Sequence, residues 1–172
     1  MKNIILIGFM GSGKTAAGRK VASKLKMGFF DMDAIIEKRE KKKIKEIFNT
    51  EGEPYFRELE KNFINGLKNL KNILVSTGGG VVKDKKNIKA LRKLGTVIYL
   101  DAGLETIANR LKKDGAKKRP LLAGKGDLLK KIEQILKPRV RLYRDCAHIV
   151  VDTSKKSLNE VVDNIVKIAK TK

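Results

Sequence analysis

One glycine-rich stretch of this sequence has the residue types that bind phosphate groups. Residues 8–15 read Gly-Phe-Met-Gly-Ser-Gly-Lys-Thr and directly follow the apolar residues 4–7. A glycine, four residues and Gly-Lys-Ser/Thr is the spacing of a loop whose backbone N–H groups surround phosphates between a strand and a helix. Lys14 adds positive charge, and Thr15 offers a hydroxyl to a magnesium ion. We therefore predict a nucleotide phosphate site; the alternative is a strand-turn-helix connection with incidental glycines.

Two carboxylates come next along the chain. Asp31 and Asp33 follow the short apolar pair Phe29-Phe30, which we interpret as the end of a second strand. Residues two apart on a strand point the same way, so both carboxylates can face one cleft. The alternative is that an aspartate caps the helix that begins near Ala34. Two carboxylates beside a phosphate loop favour a functional role.

A glycine triplet follows the third apolar strand. Residues 78–80 are all glycine, and three glycines in a row are costly in chain entropy. The triplet therefore indicates the close approach of a ligand or of another part of the backbone, although a flexible turn would have the same composition. Arg57, on a helix that begins near Pro54, would ordinarily face solvent.

The segment 114–127 interrupts the helical pattern. It contains three glycines, two lysines followed by Arg119-Pro120, and one short apolar run. This composition suits a mobile lid that brings positive charge over phosphates, and the alternative is an exposed loop without a role.

Further on, Pro138 predicts a break or kink in a helical segment.

The elements that must position these residues alternate along the whole chain. Five short apolar segments of strand type are separated by segments with apolar residues at helical spacing, with no repeat and no linker. This alternation predicts a doubly wound, three-layer α/β/α fold with a five-stranded parallel sheet. Ligands of such sheets bind at the carboxyl ends of the strands, where the phosphate loop, the two aspartates and the glycine triplet all lie.

Composition restricts the possible functions. The 172 residues include 40 Lys and Arg against 19 Asp and Glu, a net charge of +21, which raises nucleic-acid binding as an alternative. The lysines are spread through the chain, however, and only nine residues are aromatic, so base stacking has little support. A single cysteine, Cys146, excludes an intramolecular disulfide, and with the single histidine, His148, it cannot form a Cys/His zinc site. We expect one cytoplasmic domain without a membrane segment or signal peptide.

Taken in order, these motifs resemble the shikimate kinase family, small phosphate-loop kinases of the nucleoside-monophosphate-kinase fold group. The resemblance runs nearly end to end. Its most specific part is Arg57 in its acidic-proline context, together with the glycine triplet and Arg119. The segments that carry the resemblance are residues 8–15, 31–33, 47–60, 78–80, 119–122 and 139–143.

The resemblance implies a set of contacts with ATP and Mg²⁺. Lys14 would hold the β- and γ-phosphates, while Thr15 and Asp31 would hold the metal, Asp31 through water. Arg119 would come in with the lid and steady the transferring phosphoryl group, and Arg110 would lie along the adenine. The implied nucleotide-binding residues are Gly11, Ser12, Gly13, Lys14, Thr15, Ala16 and Arg110.

The resemblance also implies an acceptor site, formed by a helical segment at about residues 33–62 and by later glycines and arginines. Asp33 would bind the attacking hydroxyl, Arg57 and Arg139 would hold the shikimate carboxylate, and the backbone of Gly79 and Gly80 would approach a ring hydroxyl. An arginine suits a carboxylate because its planar guanidinium donates two parallel hydrogen bonds.

Two positions depart from the family pattern. Arg141 stands where the family commonly has proline, which leaves Arg139 and Arg141 as alternatives for the carboxylate, with the spacing to Tyr143 favouring Arg139. Leu158 stands near another usual proline, beside the adenine-contacting loop at about residues 152–154.

The implied function is transfer of the γ-phosphoryl group of ATP to the 3-hydroxyl of shikimate, a step of aromatic amino acid biosynthesis. The alternatives are a gluconate kinase or nucleoside monophosphate kinase on the same fold, or a basic phosphate-loop protein that binds nucleic acid. We expect a single kinase domain over residues 1–172, with the lid at about 114–127. We further expect a monomer without a specific nucleic-acid partner.

Overall fold

A computed structural model of the protein describes residues 2–114, 122 and 126–171. Within these residues, strands and helices alternate much as the apolar pattern predicts. The elements in chain order are β1 (Asn3–Ile7), α1 (Lys14–Leu25), β2 (Gly28–Asp31), α2 (Met32–Glu40), α3 (Ile44–Thr50), α4 (Gly52–Gly66), β3 (Ile73–Ser76), a 3₁₀ turn (Val81–Lys83), α5 (Lys85–Leu94), β4 (Gly95–Asp101), α6 (Leu104–Asp114), α7 (Leu128–Cys146), β5 (Ile149–Asp152) and α8 (Leu158–Lys170).

The five strands form one parallel sheet in the order β2-β3-β1-β4-β5. β1 is central, and its Ile5 lies opposite Val75 of β3 and Val97 of β4. Because every strand runs the same way, all five carboxyl ends lie along one edge of the sheet. The expected five-stranded parallel sheet is therefore confirmed.

Helices cover both faces of the sheet. Successive side chains of a strand point to opposite faces, and in β1 Ile4 and Leu6 belong to one apolar core while Ile5 and Ile7 belong to the other. The first core includes apolar residues of α1 and α8, and the second includes residues of α4, α5 and α7. The three-layer α/β/α arrangement is confirmed.

One local expectation from the sequence was wrong. β2 ends at Asp31, and α2 begins at Met32, so Asp33 lies in the first turn of a helix and not on the strand. Of the break or kink predicted at Pro138, the break does not occur, because residues 128–146 form one helix with the proline inside it.

No helix within the described ranges is long and apolar enough to cross a membrane.

Candidate functional site

A cavity of about 510 Å³ lies beside residues 8–15, at the carboxyl edge of the sheet. We call it the phosphate-loop cavity. β1 leads into the loop at this edge and α1 leads away from it, so the N-terminus of α1 directs its first N–H groups, and the positive partial charge they carry, toward the cavity. Its lining residues include Ser12, Lys14, Thr15, Asp31, Asp33 and Arg110.

The loop has the conformation that its glycines allow. Gly11 and Gly13 have φ angles of 79° and 93°, in the left-handed region that glycine enters at little cost. The loop is held from within by Lys14, whose Nζ donates to the carbonyls of Gly8 and Phe9, both at 2.9 Å. The hydroxyl of Ser12 is buried without a hydrogen-bond partner in the part of the chain that the structure describes. The loop is thus shaped around a polar ligand.

Two oxygen groups stand at the N-terminus of α1. The hydroxyl of Thr15 donates to Oδ2 of Asp31 at 2.7 Å, and Oδ1 of Asp31 accepts from the backbone N–H of Ala34 at 3.1 Å. Asp31 therefore caps α2, which was the alternative interpretation, and also faces Thr15. Because Mg²⁺ in nucleotide sites is usually bound by one or two carboxylates together with substrate phosphates, this donor set fits the ion.

A second cavity, of about 490 Å³, lies next to the first. We call it the arginine cavity, because Arg57 and Arg139 both line it. The two cavities have Met10, Asp33 and Gly79 in common. Asp33, at the start of α2, therefore stands at the junction between the phosphate loop and the arginines.

Arg57 is held by carboxylates on its own helix, α4. Its Nε and Nη2 donate to Oε1 of Glu53 at 3.1 and 2.7 Å, and its Nη1 donates to Oε2 of Glu60 at 2.6 Å. Lys83, on the 3₁₀ turn after the glycine triplet, also donates to Oε1 of Glu53, at 2.6 Å. Hydrogen bonds from Lys83 and Arg57 lower the pKa of Glu53 to about 2. The guanidinium is therefore oriented before any ligand arrives.

Glu60 is the most deeply buried charged side chain of this group, with no exposed surface. Burial raises its pKa to about 7, although the neighbouring Arg57 acts in the opposite direction. Its Oε1 has no hydrogen-bond partner within the described ranges. Near neutral pH, Glu60 is therefore present in both its protonated and its ionised forms. Only the ionised form balances the positive charge of Arg57.

The first and third glycines of the triplet lie close against charged side chains. A Cβ at Gly78 would lie 2.8 Å from Oδ1 of Asp33 and from Oε1 of Glu60. A Cβ at Gly80 would lie 2.5 Å from both terminal nitrogens of Arg57. The close approach predicted from the sequence is therefore present, and what approaches is the set of charged side chains of the arginine cavity.

The two candidate arginines of α7 have different environments. Arg139 is buried, lines the arginine cavity and has its Nη1 3.4 Å from the carbonyl oxygen of Gly79. Arg141 has 91% of its side chain exposed and lies 3.8 Å from Asp145. Only Arg139 of the pair faces the cavity that contains Arg57.

Most of the residues singled out from the sequence line one of the two cavities, and Arg119 lies outside the described residues. Arg110 lines the phosphate-loop cavity, with Nη2 donating to the carbonyl of Thr153 at 2.8 Å and Nη1 3.3 Å from that of Gly11. The predicted residues that line the phosphate-loop cavity are Gly11, Ser12, Gly13, Lys14, Thr15, Ala16, Asp31, Asp33, Gly79 and Arg110. Those that line the arginine cavity are Asp33, Arg57, Gly79, Gly80 and Arg139.

The sequence analysis missed four residues that shape the arginine cavity: Glu53, Glu60, Lys83 and Tyr143. A signal was available for the two glutamates, because they stand four residues before and three residues after Arg57, the spacing at which helical side chains meet. Tyr143 stands at the same helical spacing from Arg139, but nothing in the sequence indicated its contact with Gly79. Lys83 had no signal, since Glu53, which it contacts, is distant in sequence.

Comparison with known proteins identifies close relatives. A family model described as shikimate kinase matches residues 10–170. Shikimate kinases of Sulfurihydrogenibium sp. and Persephonella marina are 44% and 45% identical over 165 residues, 96% of this chain and 96% and 97% of theirs. The solved structure of an Acinetobacter baumannii shikimate kinase in complex with shikimate is similar with a TM-score of 0.92 and 34% identity, covering 99% of this chain and 94% of that one. The similarity therefore spans both cavities.

Proposed function

This chain belongs to the shikimate kinase family, and from that premise we propose how its residues divide the work of the reaction. The protein is an ATP- and Mg²⁺-dependent kinase of aromatic amino acid biosynthesis. It transfers the γ-phosphoryl group of ATP to the 3-hydroxyl of shikimate and releases shikimate 3-phosphate and ADP.

The observation that supports this division is the position of Asp33 between the two cavities. On one side lies a loop suited to phosphates, and on the other lie two arginines suited to a carboxylate. A phosphoryl transfer needs its donor and acceptor aligned within contact of each other, because its loose transition state leaves catalysis mainly to alignment and charge. The phosphate-loop cavity therefore takes ATP, and the arginine cavity takes shikimate.

On the nucleotide side, Lys14 and the backbone N–H groups at the start of α1 hold the β- and γ-phosphates. Thr15 and Asp31, whose oxygens are 2.7 Å apart, would hold Mg²⁺, with Asp31 acting through water. When bound, the ion neutralises charge on the phosphates. Arg110, fixed by the carbonyl of Thr153, lies along the adenine.

On the acceptor side, Arg57 and Arg139 hold the carboxylate of shikimate. Arg57 is already oriented by Glu53 and Glu60, which limits the side-chain entropy lost when the acceptor binds. The exposure of Arg141 favours Arg139 as the second arginine. The backbone of Gly79 and Gly80 approaches a ring hydroxyl.

Asp33 binds the attacking 3-hydroxyl at the junction of the cavities. A carboxylate is a far weaker base than an alkoxide, so Asp33 is poorly suited to take the proton of the alcohol at the start of the reaction. Its role is therefore to orient the hydroxyl and to accept the proton late, after the bond to phosphorus has largely formed.

We propose that residues 1–172 act as one kinase domain, in which the helical segment at about 33–62 carries the acceptor site. The lid expected at 114–127 and its Arg119, which would steady the transferring group, lie almost entirely outside the described residues. We also propose that the protein is a monomer without a specific nucleic-acid partner. It would act in the cytoplasm, where ATP is available. The spread of the lysines and the small number of aromatic residues support this proposal.

Release of ADP from ATP and Mg²⁺ tests the function, with shikimate, gluconate, AMP or no acceptor present. We expect a signal with shikimate alone, and Asp33→Asn should lower kcat at least a hundredfold, about 3 kcal/mol in the barrier. A signal with gluconate or AMP instead would contradict the acceptor. Absence of any signal, together with oligonucleotide binding that weakens steeply with salt, would favour the nucleic-acid alternative.

A further inference from the structure

Tyr143 is a fully buried tyrosine of α7 whose hydroxyl reaches the glycine triplet. It stands four residues after Arg139, so the two side chains share one face of the helix. The hydroxyl of Tyr143 donates to the carbonyl oxygen of Gly79, the same oxygen that Arg139 approaches at 3.4 Å. One carbonyl of the acceptor site therefore receives two donors from α7.

This hydrogen bond fixes the peptide unit between Gly79 and Gly80, which makes no hydrogen bond within its own segment. Gly79 and Gly80 lie between β3 and the 3₁₀ turn, outside any helix or strand. Neither donates its N–H to a backbone acceptor among the residues that the structure describes. Because the peptide is trans and planar, a carbonyl of Gly79 directed at Tyr143 turns the N–H of Gly80 the opposite way, away from α7. Tyr143 thus sets the direction of an available amide donor.

The hydroxyl of Tyr143 is itself fixed and stays protonated. The ring stacks on that of Tyr99, with centroids 5.0 Å apart and planes at 18°. Burial raises the pKa of Tyr143 to about 12, so it donates throughout the neutral range. Tyr99 makes a comparable hydrogen bond that points elsewhere, from its hydroxyl to Oδ1 of Asp101 at 2.8 Å.

We propose that Tyr143 is a positioning residue of the acceptor site, which holds the peptide between Gly79 and Gly80 so that its N–H meets an oxygen of the bound acceptor. This inference rests on the proposed function, since it assumes an oxygen-rich acid in the arginine cavity.

The test is a matched pair of variants, Tyr143→Phe and Tyr99→Phe. Each removes one hydroxyl from the same stacked pair of rings, so the two should lose similar amounts of thermal stability, measured as Tm. Only Tyr143→Phe should raise the KM for shikimate, by about tenfold for one lost directing hydrogen bond, with the KM for ATP unchanged. Only Tyr143→Phe should move the carbonyl ¹³C resonance of Gly79 in the ligand-free protein.

Three results would overturn the positioning role. They are an unchanged KM for shikimate in Tyr143→Phe, an equal rise in the KM values of both substrates, and an equal rise for shikimate in Tyr99→Phe. Failure of the proposed function looks different, because the wild-type protein would then not use shikimate at all. In that case, the KM values of the two variants are compared for whichever acceptor gives ADP release. A rise in Tyr143→Phe alone would show that Tyr143 positions that acceptor.

Discussion

The phosphate-loop cavity and the arginine cavity share a wall but are built in different ways. Eight consecutive residues, 10–17, contribute to the lining of the first, and residues of other elements, including Asp31, Arg110 and Thr153, complete it. The second is lined by side chains from α2, α3, α4 and α7 and by the backbone of the glycine triplet, with Arg57 hydrogen-bonded to Glu60 and Arg139 to the carbonyl of Gly79. The phosphate-loop cavity therefore depends in large part on one continuous loop, whereas the arginine cavity depends on residues that only the fold brings together.

The difference shows why one fold can serve many acceptors. Backbone N–H groups bind phosphate whichever group is to be phosphorylated, so the loop needs only its glycines, lysine and hydroxyl. Selection among acceptors requires side chains of specific charge in specific places. Changes in the first cavity should therefore affect turnover, and changes in the second should affect recognition and stability.

The largest expected effect comes from Lys14→Met in the phosphate-loop cavity. Lys14 is buried and supports the loop through two carbonyls, and in the proposed mechanism it also supplies charge to the phosphates. We expect kcat to fall about a thousandfold, equivalent to about 4 kcal/mol. Lys112→Met, which removes an exposed lysine of α6, is the control and should change kcat less than twofold. Steady-state kinetics that find Lys14→Met within tenfold of the wild type would contradict the role of the loop.

A smaller and more selective effect is expected from Arg57→Ala in the arginine cavity. The KM for shikimate should rise about a hundredfold, roughly 3 kcal/mol of lost carboxylate binding, while the KM for ATP stays within threefold. Arg57→Lys keeps the charge without the bidentate geometry, so its KM for shikimate should lie between those of the wild type and Arg57→Ala. Arg141→Ala, at an exposed arginine, is the matched control. An equal rise in both KM values would mean that Arg57 supports the whole site and does not select the acceptor.

The smallest effect concerns stability and its dependence on pH, through Glu60. Its pKa of about 7 lies above the ordinary 4.5, so between these values the folded protein keeps a proton that the unfolded chain releases. The stability linked to this proton is fully present below pH 4.5 and lost as the pH rises through 7. Compared with Glu60→Gln, the wild type should lose up to about 3 kcal/mol across this window.

Denaturant unfolding of both proteins below pH 4.5 and above pH 7 measures this difference. Comparing the two proteins removes the contribution of groups that titrate in both. A difference that stays constant with pH would show that Glu60 is ionised in the fold at its ordinary pKa, and that Arg57 compensates fully for its burial.

The shared cavity of Asp31 and Asp33 was predicted correctly, but from a wrong secondary structure. Both carboxylates were expected to face one cleft because they would alternate on a strand. They do line the same cavity, but Asp31 ends the strand as a helix cap and Asp33 belongs to the first turn of α2. A β-to-α junction brings such residues together as effectively as a strand does, and the short apolar pair Phe29-Phe30 could not show where the strand ended.

Pro138 shows a similar limit. Proline removes one backbone donor and usually disturbs a helix interior, yet α7 continues from Leu128 to Cys146. Residues on both sides of the proline, including Ile132 and Tyr143, are fully buried. Tertiary packing of α7 outweighs the local cost, which no pattern within the segment could reveal.

The sequence by itself determined what depends on neighbours along the chain. The phosphate loop needs glycines, lysine and threonine at fixed spacing, and the strands need apolar residues on both faces, so both can be read directly from the residues. Only the tertiary structure decided which distant groups meet. It placed Asp33 between the cavities, Glu60 under Arg57, and Tyr143 on the carbonyl of Gly79. These contacts depend on the packing of α2, α4 and α7 against one sheet edge, and the physical reason they escape prediction is that burial and charge balance are properties of the assembled fold.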